Sequence, residues 1–274
     1  MFTLNPFSEL AGLISPFAMQ VYVIAMAVLV AGGTLLDTWH KKSAKYFFEN
    51  AEKQKKVASR QVSGGEKVAI AVKTLAVDVL ASGEFCNQRR RVAHLLGMHG
   101  FVLFVVTTAI LIFGYAESAA PAILPVLWHV GALMVCVGGY WFWFFIRVDV
   151  AAEGHPWYRF VRADLFILAL LATTTFALLW SVLSSTFFFV LFIAAATVLF
   201  GTVFWSKFAH MFFKPAAAFQ KRVTKADGSR ENLPEIPDLT DPAVHARYPD
   251  IPEYLGLNPP DMGLGIKREA PSHY

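Results

Sequence analysis

Five stretches of this chain, Phe17–Leu36, Val92–Gly114, Ile123–Ile146, Leu165–Leu183 and Phe187–Ser206, contain no Asp, Glu, Lys or Arg. A helix rises about 1.5 Å per residue and the hydrocarbon core of a bilayer is about 30 Å thick, so each stretch can cross once as a helix. The runs are continuously apolar rather than alternating, which excludes the strands of a membrane barrel. All 24 Lys and Arg and all 20 Asp and Glu lie in the remaining segments. Only 16% of the 274 residues are charged, against about a quarter in an ordinary globular domain. The expected fold class is all-α: a polytopic membrane protein with a five-helix transmembrane bundle, a cytoplasmic helical loop and an extended C-terminal tail.

Orientation follows from the basic residues, because Lys and Arg stay cytoplasmic. They occur only in 37–91, 147–162 and 207–274, and none lies in the N-terminal segment or in the turns near Glu117 and Ser184. The N-terminus is therefore expected outside and the C-terminus in the cytoplasm, as in a bacterial inner membrane. The net charge of +4 and the pI near 9.0 are products of this bias and do not point to nucleic acid. The segment before Phe17 has no basic residue and the first apolar run exceeds a signal-peptide core, so that span is expected to be retained. Trp39, Trp141, Trp143, Trp157, Trp180 and Trp205 fall near span ends, as an interfacial aromatic belt requires.

Four regions result: 1–36, the N-terminal segment and first span; 37–91, a cytoplasmic helical loop; 92–214, four further spans; and 215–274, a cytoplasmic extended tail. In the loop, Trp39–Gln61 has helical composition and Ser63-Gly64-Gly65 breaks it. Beyond the break, Val68, Val72, Leu75 and Val79 recur at helical spacing, with Lys67, Lys73 and Asp78 on the other side. This stripe is too short to span and reads as an interfacial helix or as one that docks to a partner. The tail holds most of the 14 prolines and little that could form a core, which suits disorder or an extended arm; we expect an arm laid across a cytoplasmic partner, with a free tail as the alternative.

A proton pump or ion-coupled transporter normally needs an ionisable residue at depth, and the five spans hold no carboxylate, Lys or Arg. They and their ends do hold histidines: His94 and His99 on the second span, His129 on the third and His210 at the end of the fifth. An imidazole in a bundle serves as an axial haem ligand, as a hydrogen-bond donor to a substrate such as a quinone, or as a satisfied structural partner. Two axial ligands of one iron must lie at similar depth. His94 lies about 3 Å past the inner boundary, and His210 lies just beyond that boundary if the fifth helix continues toward Pro215. These two can share one metal, a haem iron near the cytoplasmic face. His99 is about 140° further round the helix and points to a different face. His129, about 9 Å in from the outer boundary, has no histidine at its own depth and is a better quinone or structural candidate.

Gly97, Gly100, Gly138-Gly139, Ala194-Ala195-Ala196 and Gly201 let helices approach each other or a flat macrocycle approach a helix. There is no Cys-x-x-Cys-His, so haem would be non-covalent and b-type. Two cysteines, Cys86 and Cys136, are too few for an iron–sulfur cluster. No Gly-x-Gly-x-x-Gly marks a flavin or nicotinamide site, so electrons would have to come from another subunit.

Ser82-Gly83 with Cys86-Asn87, then Arg89 to Leu96 and Gly100-Phe101, resembles the second helix of the membrane subunits of quinone-interacting oxidoreductases and heterodisulfide reductases. These belong to the nitrate-reductase gamma class of five-helix cytochromes b. Ser206-Lys207-Phe208-Ala209-His210 with Pro215 resembles the close of that class's last helix. The long basic loop, single-helix N-terminus and proline-rich tail are most similar to the AprM-type membrane anchors of dissimilatory adenylylsulfate reductase. The resemblance implies His94 and His210 as the axial pair. It also shows a departure: two-haem members carry further histidines where this chain has Phe104 and the run Phe187 to Phe192, so one haem is expected.

The leading expectation is an electron-transfer membrane anchor. Electrons would pass between a cytoplasmic flavin and iron–sulfur adenylylsulfate reductase and membrane quinone, through b-type haem. Arg91, with Arg89 and Arg90, would stabilise haem propionates or attract an acidic partner, although the positive-inside bias alone also explains these arginines. The rival expectations are a structural anchor without a redox centre and a small-molecule transporter.

Overall fold

The computed structural model describes residues 2–8, 10, 13–41, 43–83, 85, 87–149, 154–206, 210–229 and 241–247. Among the described residues all regular structure is helical and no strand is present. The long helices are α1 (Pro16–Lys41), α4 (Gln88–Gly114), α5 (Ile123–Trp141) and α6 (Leu165–Leu183). With their flanking turns, four segments are long and apolar enough to cross a membrane: Pro16–His40, Gln88–Gly114, Ile123–Ile146 and Arg162–Leu183. Their apolar side chains face outward as well as inward: Phe17 is 73% exposed, Leu35 71% and Phe145 70%. Such surface is unfavourable in water and suits contact with lipid.

The fifth apolar stretch behaves differently. Its helix, α7 (Thr186–Gly201), has 16 residues, about 24 Å at the helical rise and short of a full crossing. Beyond Gly201 the chain turns through Thr202–Ser206, with Trp205 and Ser206 backbone N–H groups donating to the Thr202 carbonyl at 3.0 Å. The helices nevertheless adjoin in a cycle: α4 packs on α5, α5 on α6, α6 on α7, α7 on α1 and α1 on α4.

Glycines set the tightest of these contacts. A Cβ added at Gly131 would meet the Phe104 backbone N at 2.7 Å, one at Gly100 the Gly131 carbonyl at 2.8 Å, and one at Gly138 the Ala93 carbonyl at 2.6 Å. Backbone therefore lies directly on backbone along α4 and α5. α1 packs through Met19, Val23 and Val30 and adds polar bonds. Tyr22 donates to the Ile193 carbonyl at 3.1 Å and Gln20 to the Ile112 carbonyl at 3.2 Å.

The two ends of the bundle are built differently. At the cap end, the segment before α1 folds over the helices: Asn5 donates to the Tyr115 carbonyl at 2.9 Å, and Phe7 packs on Trp128 and Trp180. At the loop end lie α2 (Ser43–Lys56), α3 (Gly64–Lys73), a π-helical extension (Thr74–Leu80) and α8 (His210–Ala226). Ser63 caps α3 by accepting from the Glu66 N–H, as the break at Ser63-Gly64-Gly65 leads one to expect. Arg222 on α8 grips Asp78 with two hydrogen bonds of 2.6 and 2.8 Å, and Gln220 donates to Gln54 at 3.0 Å.

The extended tail expected from residue 215 is therefore corrected at its start. Residues 215–226 are helical, with Pro215 inside α8. A proline within a helix interior costs about 3 kcal/mol. Here Met211 and Phe213, before the proline, pack against the bundle core, and continuing the helix beyond it brings Arg222 to Asp78. A short helix, α9 (Pro242–Arg247), follows, and residues 230–240 and 248–274 lie outside the described residues.

Candidate functional site

The candidate histidines divide between the two ends. His129, at the cap end, is buried, and its two ring nitrogens are both engaged. Nδ1 donates to the Pro125 carbonyl at 2.7 Å, so Nε2 accepts from the Ser181 hydroxyl, also at 2.7 Å. Phe2 and Trp128 meet its ring edge-on at 5.0 and 4.9 Å. This imidazole ties α5 to α6 and has no nitrogen left for a metal or a quinone oxygen. Of the three readings open from sequence, the geometry matches the structural partner.

Beside His129 the bundle is filled with aromatic rings. Trp128 is fully buried between Phe104, 5.1 Å away, and Trp180, 6.2 Å away. Trp180 stacks on Phe192 at 5.7 Å and meets Phe189 at 5.0 Å. Trp128 Nε1 donates to the Thr108 hydroxyl at 2.9 Å, so even its polar atom is satisfied. Phe104, and Phe189 and Phe192 of the run from Phe187 to Phe192, on which the expectation of a single haem rested, place their rings in this half of the core. A macrocycle does not fit there.

The loop end is arranged around one turn, Leu80–Ser82, which α4 holds with three side chains. Arg91 Nε donates to the Ala81 carbonyl at 2.9 Å, and His99 Nε2 donates to the Leu80 carbonyl at 2.9 Å. His94 Nδ1 is hydrogen-bonded to the Ser82 hydroxyl at 2.9 Å. His94 and His99 were expected to serve different faces, yet both reach this turn, one through a hydroxyl and the other through a carbonyl. His99 thereby acquires a local structural partner. Ser82 is buried and sits at φ 49°, a left-handed conformation that costs a non-glycine residue about 1 kcal/mol or more. Such a residue is kept where the surrounding structure needs it, and here it aims a hydroxyl at an imidazole.

The arginine cluster lies at the N-terminus of α4, where positive charge opposes the helix dipole. Asn87 offsets this as N-cap, accepting from the Arg89 and Arg90 N–H groups at 2.9 and 3.2 Å. Phe85, between the turn and the cap, lies 4.8 Å from the His94 ring, and Lys214 Nζ sits 5.6 Å over the Phe85 ring. The first turns of α8, which begin at His210, therefore lie close to His94. The His210 side chain is outside the described residues. Gly97, one turn beyond His94, faces open space: an added Cβ would meet nothing within 4 Å. Of the two roles open to these glycines, Gly100 takes helix packing, against α5.

Sequence reasoning missed three contributors. Ser82 was noted only within a motif, and nothing in a sequence signals a left-handed serine. His40 ends α1 with its ring 5.5 Å from Phe204, joining the histidines at the loop end. Arg147, after a π-helical stretch (Phe142–Ile146), is fully buried: it donates to the Pro156 and Arg159 carbonyls and pairs with Asp164 at 2.5 Å. That arginine fixes the connection into α6. No group of three or more metal-binding side chains is found among the described residues, so a metal here would be one held by few protein ligands. No protein-family model matches the chain, and neither a curated protein nor a solved structure matches it.

Proposed function

We propose that this protein is a five-span membrane anchor that carries electrons between a cytoplasmic flavin and iron–sulfur adenylylsulfate reductase and the quinone pool. In this reading α7 and the turn after it form the fifth crossing, and the loop end faces the cytoplasm. The observation that carries the proposal is the Ser82–His94 hydrogen bond beside an open glycine face. A metal-binding histidine characteristically has its other ring nitrogen held by a hydrogen-bond partner, which fixes the ring's orientation.

In this reading a b-type haem would be held at the loop end, with His94 and His210 as its protein ligands. Such a group, when bound, supplies reversible one-electron transfer. Ser82 orients the His94 ring, and Arg91 and His99 hold the turn that carries Ser82. Phe104, Trp128, Trp180, Phe189 and Phe192 exclude water and a second macrocycle from the cap end. Arg89 and Arg90 supply positive charge toward an acidic partner protein.

Replacing His210 by Ala should abolish the b-type bands in the dithionite-reduced spectrum of the purified chain. An unchanged haem content overturns the assignment, and a colourless parent protein favours a structural anchor without a redox centre.

A further inference from the structure

The helix formed by α3 and its π extension carries a row of apolar side chains that no other part of the described protein covers. Val68 is 65% exposed, Val72 62% and Leu75 55%. Its opposite face is the one turned to protein. Asp78 is bound by Arg222 of α8, and Glu66 is held by Arg60 through two hydrogen bonds of 2.9 and 2.6 Å. Both acidic residues of the helix are thus drawn away from the apolar row and neutralised. Lys67 and Lys73 remain, about 100° to either side of it.

The position of this helix relative to the bilayer follows from its end. His99 lies seven residues beyond Val92, the first uncharged residue of the second span, and so about 10 Å into the apolar part of α4. Side chains on a helix lean toward its N-terminus, which brings the His99 ring back toward the membrane boundary. The Leu80 carbonyl is bonded to that ring at 2.9 Å. The helix therefore ends at the level of the bilayer's boundary, on its periphery, with Leu80 itself exposed.

We infer that Gly64–Leu80 is a membrane-surface helix, with Val68, Val72 and Leu75 immersed among lipid acyl chains. Lys67 and Lys73 reach along the row to anionic headgroups. An apolar stripe flanked on both sides by lysines, with its acids paired elsewhere, has the charge pattern of a helix lying in the bilayer interface. A protein partner would not require the end of the helix to be tied to a side chain of a span. The surface anchors the whole loop-end assembly of α2, α3 and α8 to the membrane, whatever cofactor the bundle holds.

The test uses the full chain in Cys86→Ser and Cys136→Ala background, carrying Val72→Cys or, separately, Val68→Cys, labelled with a fluorophore. It is reconstituted in phosphatidylcholine vesicles containing phosphatidylglycerol. Labels at both positions should be quenched by lipids brominated on their acyl chains and protected from aqueous iodide, relative to Lys56→Cys at the end of α2. Iodide quenching equal to that at position 56 overturns the proposal. Protection from both quenchers also overturns it, because it means that a protein covers the row. Omitting phosphatidylglycerol should weaken the lipid quenching, and Lys67→Gln with Lys73→Gln should remove that dependence. Quenching indifferent to phosphatidylglycerol in the parent overturns the role given to the lysines.

Discussion

The cap end and the loop end of this bundle are made from the same kinds of helix but solve opposite problems. At the cap end the buried rings are packed on one another, and His129 spends both nitrogens on neighbours. At the loop end the histidines lie at the surface, small residues leave space at Gly97, and a strained serine is held in place by α4. The aromatic filling of the cap-end core is the reason the proposed function places its chemistry at the loop end. The same residue type, histidine, is buried between two helices in the first setting and lies at the surface against a turn in the second.

The largest test of this contrast is Trp128→Ala. Removing a fully buried indole should cost about 3–5 kcal/mol of stability, read as a lower thermal midpoint in detergent, while any haem spectrum of molecules that remain folded is unchanged. A spectral change with intact stability would place chemistry at the cap end and break the division. A smaller effect separates two glycines on α4 and α5. Gly131→Ala drives a Cβ to 2.7 Å from backbone and should cost about 1–3 kcal/mol. Gly97→Ala meets nothing and should raise stability by about 0.5–1 kcal/mol, the usual gain for a strain-free Gly→Ala in a helix interior, while lowering haem occupancy, if that face receives the cofactor.

The smallest effect is at the loop end. Arg222 holds the Asp78 carboxyl below its ordinary range, chiefly through their hydrogen bonds. The pair's contribution is therefore fully present at neutral pH and is lost as the pH falls from the usual carboxylate value through the depressed one. It is worth about 1 kcal/mol or less for a partly exposed pair. Hydrogen exchange of the α8 amides, corrected for intrinsic rate, should rise over that acid window, and Asp78→Asn should remove the rise.

How far the sequence could be read followed from the range of the forces involved. The long spans are visible because lipid excludes charge over a whole helix, and that rule acts on each segment alone. The α8 helix was hidden by Pro215, since its stability comes from contacts with the bundle core and Asp78, remote in sequence. The folding of the N-terminal segment over the cap end was equally hidden: Asn5, Phe7 and Leu10 have no helical or strand period, and each finds its place only among partners from other helices. Of the site, His94 and Arg91 could be singled out by type and position. Their shared partner, the Leu80–Ser82 turn, could not, because it is defined by backbone carbonyls and one left-handed residue.

The closed cap end has an electrical consequence. Moving one charge through 100 mV of membrane potential is worth about 2.3 kcal/mol. If electrons enter and leave through the loop end alone, and the protons that accompany them come from the same side, no charge traverses the bilayer. Under the proposed function the protein would exchange reducing equivalents with the membrane without working against its voltage, and the aromatic packing around Trp128 would be the insulator that makes it so.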